Sequence, residues 1–198
     1  MPTTEIRTIT SHAVGVIIVS LEDAGIVHAS RMPYTRKGST TIRQPMETGE
    51  LGESIMQSLN VLMLHEVADD AANFEWKLVQ TEPILVNFKE DEKNIGGTHV
   101  QPFFLAVVTK GKVRSDRSLP DGEELLGPIT LVEIGALIRE IEGRTVPIHV
   151  KATKMALVSL AYSIESVHDR YKKIIGILRP QDFTEEELAA IAAYPGKW

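Results

Sequence analysis

Glu53 to Asp70 reads ESIMQSLNVLMLHEVADD, with Ile55, Met56, Leu59, Leu62, Met63 and Glu66 recurring at steps of three and four and neither glycine nor proline between. That spacing predicts a helix with these positions on one side. At about 100° per residue, Glu66 falls in the middle of the stripe formed by Ile55, Leu59, Leu62 and Met63, so a carboxylate points inward. Asp69 and Asp70 follow at i+3 and i+4, and a helix that continues so far places all three acids on one face. Burying an unpaired carboxylate costs several kcal/mol, and like charges at this spacing repel, so the cluster calls for cations or a wet cleft. Mg²⁺ or Mn²⁺, which prefer oxygen ligands and bridge readily to phosphate oxygens, are the economical cations. The plainer alternative stays open: acids at a helix end are often solvated or paired with Lys or Arg.

The flanks are strand-like. Ala13 to Ser20, AVGVIIVS, is a β-branched run of the kind found in a buried strand. Turn residues Glu22 to Gly25 and a second run, Ile26 to Met32, complete a hairpin pattern. A short extended piece follows at Thr40 to Arg43. Beyond the helix, Trp76 to Val86 and Phe103 to Val108 read as strands, separated by a charged loop from Lys89 to Thr98. Leu119 to Gly122 is a turn, Gly127 to Leu131 a strand, and Val132 to Ile141 a short helix closed by Gly143. Ile148 to Ile175 is amphipathic at helical spacing, and Thr184 with Glu187 forms a capping box for a last helix to Ala193.

Composition narrows the chemistry. The 198 residues are 43% hydrophobic and 24% charged, an ordinary globular balance, and are enough for one core with an appendage. No cysteine is present, which excludes disulfides, thiol nucleophiles and cysteine-ligated zinc. A net charge of −6 spread along the chain argues against nucleic acid as a partner. No signal-like segment opens the chain and no stretch approaches a membrane span, so a cytoplasmic protein is expected. Single histidines at positions 12, 65 and 99 have no local partner that would make a nucleophile or ligand set.

The order of these elements, and two short stretches within them, resemble the Nudix hydrolase superfamily. Met46-Glu47-Thr48-Gly49-Glu50 followed by His65-Glu66-Val67-Ala68-Asp69-Asp70 is similar to a degenerate form of its box, G-x5-E-x7-R-E-U-x-E-E-x-G-U, over a resemblance that spans roughly residues 12 to 142. It implies an α+β fold, a mixed β-sheet sandwiched between helices, as a domain at 1–147 with a helical C-terminal extension at 148–198 on the same core. It further implies a hydrolase that cleaves a diphosphate linkage in a small nucleoside diphosphate derivative, with Mg²⁺ or Mn²⁺ held by Glu66, Asp69 and Asp70. Departures from the box point to an alternative, a catalytically inactive binding, regulatory or assembly protein. Gln44 stands at the first glycine, His65 at the arginine and Ala72 at the late glycine. Fourteen residues separate Glu50 from His65 where the family has seven. Seven added residues turn a helix by about 700°, which keeps the phase but moves Glu50 about 10 Å along the axis, so Glu53 is the alternative fourth metal ligand. Glu123 and Glu124 match the region where such enzymes place groups that touch substrate or activate water. Arg31 and Arg43, with Arg36 and Lys37 nearby, are the basic residues expected to meet phosphates. The apolar C-terminal tail leads us to expect a homodimer.

Overall fold

The protein, seen in a computed structural model, is described for residues 8–21, 27–49, 52–115, 119–121 and 124–163. β1 (Ile9–Leu21) is the organising strand, and its alternation sends side chains to two cores. Val14, Val16 and Ile18 share one core with Leu59, Leu62, Met63 and Val67, while Ile17 and Val19 share the other with Leu137, Ile138, Ala152 and Leu157. A strand buried on both faces needs an almost unbroken apolar run, which is what AVGVIIVS supplies.

β1 pairs antiparallel with β2 (Val27–Arg36), in register Val19 opposite Ala29, and parallel with β7 (Thr98–Lys110) on its other side. Gly15 lies opposite Phe103, whose ring would sit 2.5 Å from any added Cβ, so only glycine permits this approach. β2 also receives β3 (Ser39–Arg43) along its outer half, and β4 (Met46–Thr48) returns against β1. β5 (Glu75–Leu78) and β6 (Leu85–Glu90) both pair antiparallel with β7. The single strand expected from Trp76 to Val86 is therefore two. Pro83 has no N–H to donate, and the ladder resumes only where the Ile84 N–H reaches the Phe103 carbonyl. β8 (Leu119–Asp121) and β9 (Glu124–Leu126) form a hairpin on β2, where a turn was expected, and β10 (Thr130–Glu133) leads into α2 (Ile134–Ile141).

One side of this mixed sheet carries α1 (Ile55–Val61) and its π-helical continuation Leu62–Val67. The other carries α2 and α3 (Pro147–Ser163). Glu133 caps α2 with both carboxylate oxygens, on the N–H groups of Gly135 and Ala136. α3 sits on the same core through Ala152, Ala156, Leu157, Val158 and Leu160. A fully buried polar chain pins it further. Ser30 donates to Gln44 Oε1 (2.5 Å), and Gln44 Nε2 donates to Thr153 Oγ1 (3.0 Å). The sequence reading took Gln44 only as a lost glycine; it is a bridge from β2 to α3. Residues 164–198, with the later part of the expected long helix, the helix from Thr184 to Ala193 and the tail behind the homodimer, lie outside the described residues. Among the described residues no helix is long and apolar enough to cross a membrane.

Arg31 does not stand free for a ligand. Its Nε and Nη2 grip Glu140 of α2 at 2.9 and 2.6 Å, which raises the guanidinium pKa and lowers that of the carboxyl. A two-pronged, partly exposed pair of this kind is worth about 1 kcal/mol. A double-mutant cycle of Arg31→Gln and Glu140→Gln, read by urea denaturation, is expected to return that coupling. A value within error of zero would remove the pair from the account of how α2 is held.

Candidate functional site

α1 begins where the sequence places it. Ser54 caps the helix and accepts from the Gln57 N–H, while Gln57 Oε1 accepts from the Ser54 N–H. One turn on, Ser58 Oγ meets His12 Nε2 at 2.8 Å. Gly49 packs so closely there that an added Cβ would lie 1.9 Å from the same imidazole nitrogen. Glu53 stands just before the cap, half-buried, and Glu50 lies outside the described residues.

The helix ends sooner than its pattern implies. From Leu62 it widens, and the Ala68 N–H reaches back five residues to the Met63 carbonyl at 2.9 Å. Ala68 is extended (φ −67°, ψ 140°) and pairs with Val113, and the Asp69 N–H bonds to the Lys112 carbonyl. Asp69 and Asp70 are thus carried off the helix axis into an exposed turn. Asp70 caps the 3-10 turn Ala71–Asn73 by accepting from the Ala72 N–H and from Asn73 Nδ2, contacts that lower its pKa. The expected face with Glu66, Asp69 and Asp70 together is not formed. Among the described residues no group of three His, Cys, Asp or Glu side chains is placed to hold a metal ion. Glu66, Asp69 and Asp70 as placed do not fit one carboxylate-held divalent cation, because the bridge from Ala68 to Val113, rather than helix periodicity, fixes the two aspartates.

Glu66 goes elsewhere. It is half-buried on the π-helical segment, its Oε2 is shielded from solvent, and it lines a cleft of about 450 Å³ with Glu47, Tyr34, Arg43 and Lys89. A second chamber of about 1200 Å³ adjoins it, and Arg36, Arg43, Met46, Lys89 and Gln101 line both. Val146, Pro147, Ile148 and Met155 give the larger chamber an apolar wall at the start of α3. Arg43 lies over the Tyr34 ring, 3.4 Å from its centroid, which restrains the guanidinium. Of the four basic residues picked out in the sequence, Arg36 and Arg43 reach the cleft; Lys37 takes the hairpin turn with φ 49°. Glu124 falls in β9, and Glu123 lies outside the described residues.

Ser11 and Asp91 escaped the sequence reading, and His99, set aside there for want of a local partner, joins them. Ser11 Oγ lies 2.6 Å from Asp91 Oδ2 and 2.8 Å from His99 Nδ1, at the edge of the same cleft. They are 80 and 88 positions from Ser11 along the chain, and only the parallel β1–β7 pairing, which sets Ser11 opposite His99, brings them together. Asp91 also accepts from Thr10 Oγ1, Asn94 Nδ2 and the Lys93 N–H, and the Ser11 hydroxyl first, with these three, holds its carboxyl far below the usual range.

No protein-family model matches the chain, and no curated protein does. Solved structures do. A NUDIX hydrolase from Nitrosomonas europaea aligns over 73% of this chain and 86% of its own, at 17% identity and a TM-score of 0.51. A possible asymmetric diadenosine tetraphosphate hydrolase from Jonesia denitrificans aligns over 75% and 93%, at 12% identity and a TM-score of 0.55. The NUDIX domain of Shewanella oneidensis NrtR, solved with ADP ribose, aligns over 81% and 93%, at 8% identity and a TM-score of 0.51. At such identities the likeness is one of architecture, and it agrees with the mixed sheet, the helix pair on one face and α1 on the other: the chain has the Nudix fold.

Proposed function

We propose that this protein binds a small nucleoside diphosphate derivative in the two-chambered cleft, with Arg36, Arg43 and Lys89 on its phosphates. The observation that carries this reading is that these three cations line both chambers, so a ligand lying across the junction meets all of them. Planar guanidinium groups match phosphate oxygens in pairs, and the apolar wall beyond suits a base or sugar face. In the Shewanella oneidensis domain the ligand is ADP ribose, a molecule of this class. A charge-assisted hydrogen bond contributes about 1.5–3 kcal/mol, and 1.4 kcal/mol is tenfold in affinity. Arg43→Ala is therefore expected to weaken ADP-ribose binding by about tenfold or more in isothermal titration. Arg31→Gln, whose charge already serves α2, should leave it unchanged.

Hydrolysis is the second reading, favoured by Glu66, which faces the cleft with one oxygen shielded from water. Glu123 and Glu124 are its further candidates for handling water, and Mg²⁺ or Mn²⁺ its expected metals. Asp69 and Asp70, fixed in an exposed turn away from the cleft that Glu66 lines, favour binding without turnover. Release of phosphate or nucleoside monophosphate from nucleotide sugars, ADP-ribose and dinucleoside polyphosphates, with either metal, separates the two. Background rates equal in the native chain and Glu66→Gln support the binding protein. Metal-dependent turnover abolished by Glu66→Gln would replace it with the hydrolase, and failure of the native chain to bind any of the panel would sink both.

A further inference from the structure

Asp91, Ser11 and His99 carry the three side-chain types of a serine hydrolase, but in the wrong order for one. A nucleophilic serine needs the imidazole between it and the carboxylate, so that its proton has a base to go to. Here the serine is in the middle. Its single hydroxyl proton goes to Asp91 Oδ2, the stronger acceptor, at 2.6 Å. The lone pair left on Oγ faces His99 Nδ1 at 2.8 Å, so that nitrogen must be the donor. The chain of hydrogen bonds runs from imidazole to hydroxyl to carboxylate.

That direction decides the state of the other ring nitrogen. A neutral imidazole with its proton on Nδ1 has a lone pair on Nε2. His99 is half-buried and lines the cleft beside Glu66, Arg43 and Lys89, and its Nδ1 is taken up by the Ser11 hydroxyl. Desolvation, then the Lys89 charge, lowers its pKa, with His12 acting in the same sense and Asp91 and Glu92 opposing, so the ring is neutral near pH 7. Asp91 is well fixed for its part, since it is 8% exposed and tied to four donors from β1 and the 91–97 loop.

We infer that Asp91 and Ser11 lock His99 in the Nδ1–H tautomer so that Nε2 serves the cleft as a hydrogen-bond acceptor for a hydroxyl group of the ligand. Lys and Arg offer donors only and so read phosphates; an imidazole lone pair reads the sugar hydroxyls that a free diphosphate lacks. Ser11 and Asp91 are positioning residues, and His99 is the contact. The inference rests on the cleft being the ligand site proposed above.

Long-range ¹H–¹⁵N correlation spectra of the full chain at pH 7 test the lock without any ligand. The expected result is a protonated Nδ1 and an unprotonated Nε2 on His99, with Ser11→Ala moving the proton toward Nε2. An Nε2–H tautomer in the native chain, or no change in Ser11→Ala, overturns the inference. Titration with ADP-ribose tests the contact. His99→Asn can reproduce Nδ1 but not Nε2 and should bind about tenfold more weakly, whereas His99→Gln, which can place an oxygen near the Nε2 position, should stay within about threefold of the native chain. Equal affinities for all three overturn it. A native chain that ignores ADP-ribose but shows the expected tautomers refutes that ligand for the cleft and leaves the lock established.

Discussion

Arg114→Ala is expected to lower the free energy of unfolding by about 3 kcal/mol. Arg114 is 0% exposed, the bulkiest of the fully buried side chains. Its Nη2 donates to the Gly127 carbonyl at 3.1 Å and lies 3.7 Å from Met32 Sδ, and its Nη1 reaches the Leu126 carbonyl at 3.5 Å. The last of these is at the limit of a hydrogen bond, so the Gly127 contact is the stronger of the two carbonyl contacts. Truncation leaves buried carbonyls without their donors, at about 1–3 kcal/mol, and adds a cavity the size of the lost side chain. Urea denaturation of Arg114→Ala and Arg114→Lys measures this. Lysine fills part of the space and keeps the charge but lacks the planar fork, so it should fall between the two. A loss below about 1 kcal/mol for alanine would show that the buried guanidinium contributes little.

The same residue explains where sequence reading stops. The Arg114 N–H bonds to the Val67 carbonyl, its carbonyl accepts from Ile129, and next door Val113 pairs with Ala68. These long-range contacts end the helix that α1 begins. Its start was legible because a capping box is local, Ser54 with Gln57, and its buried face was legible because Leu59, Leu62 and Met63 recur with the helix. Its end was not, since ESIMQSLNVLMLHEVADD contains no proline or glycine that would stop it. Three fully buried side chains, Leu62, Met63 and Val67, each contribute about 1.5–3 kcal/mol, enough to keep the widened π-turn against the sheet at the cost of regular helical bonding. So Glu66 stays on the buried side while Asp69 and Asp70, read on the same α-helical wheel, leave it. β1 shows the opposite case. A strand buried on both faces announces itself as a continuous β-branched run, and its hairpin with β2 could be read directly. Ser11 and His99 sit at the starts of two strands whose parallel pairing has no local signature, so the polar edge of the cleft was invisible from spacing alone.

Between pH 6.5 and pH 4 the protein is expected to lose about 3 kcal/mol of stability through one residue, His149. The ring is 4% exposed, meets the Phe103 ring edge-on at 5.7 Å, and accepts the Gln44 N–H on Nδ1 at 3.3 Å. Burial first, and then the Arg43 charge, push its pKa down from 6.5 to about 4. The unfolded chain therefore binds a proton in this window that the folded chain refuses, and stability must rise with pH across it. The contribution is complete above pH 6.5, falls as the pH drops, and is gone near pH 4; a shift of this size, at 1.36 kcal/mol per unit, sets the figure of about 3 kcal/mol. Protonation would also put a donor on Nδ1 against the Gln44 N–H, at the joint where the Ser30–Gln44–Thr153 chain ties α3 to the sheet. Acid should thus loosen α3 and the apolar wall of the larger chamber before the rest of the core. Asp91, whose carboxyl is held low, acts in a separate window: its contribution is present above pH 3.8 and lost below it. Urea denaturation of the native chain and His149→Asn at half-unit steps from pH 4 to pH 7.5 resolves the two. Asparagine can still accept from Gln44 but does not titrate, so its stability should be lower at pH 7 and nearly flat down to pH 4.5. Parallel slopes for both proteins across that range would clear His149 of the effect.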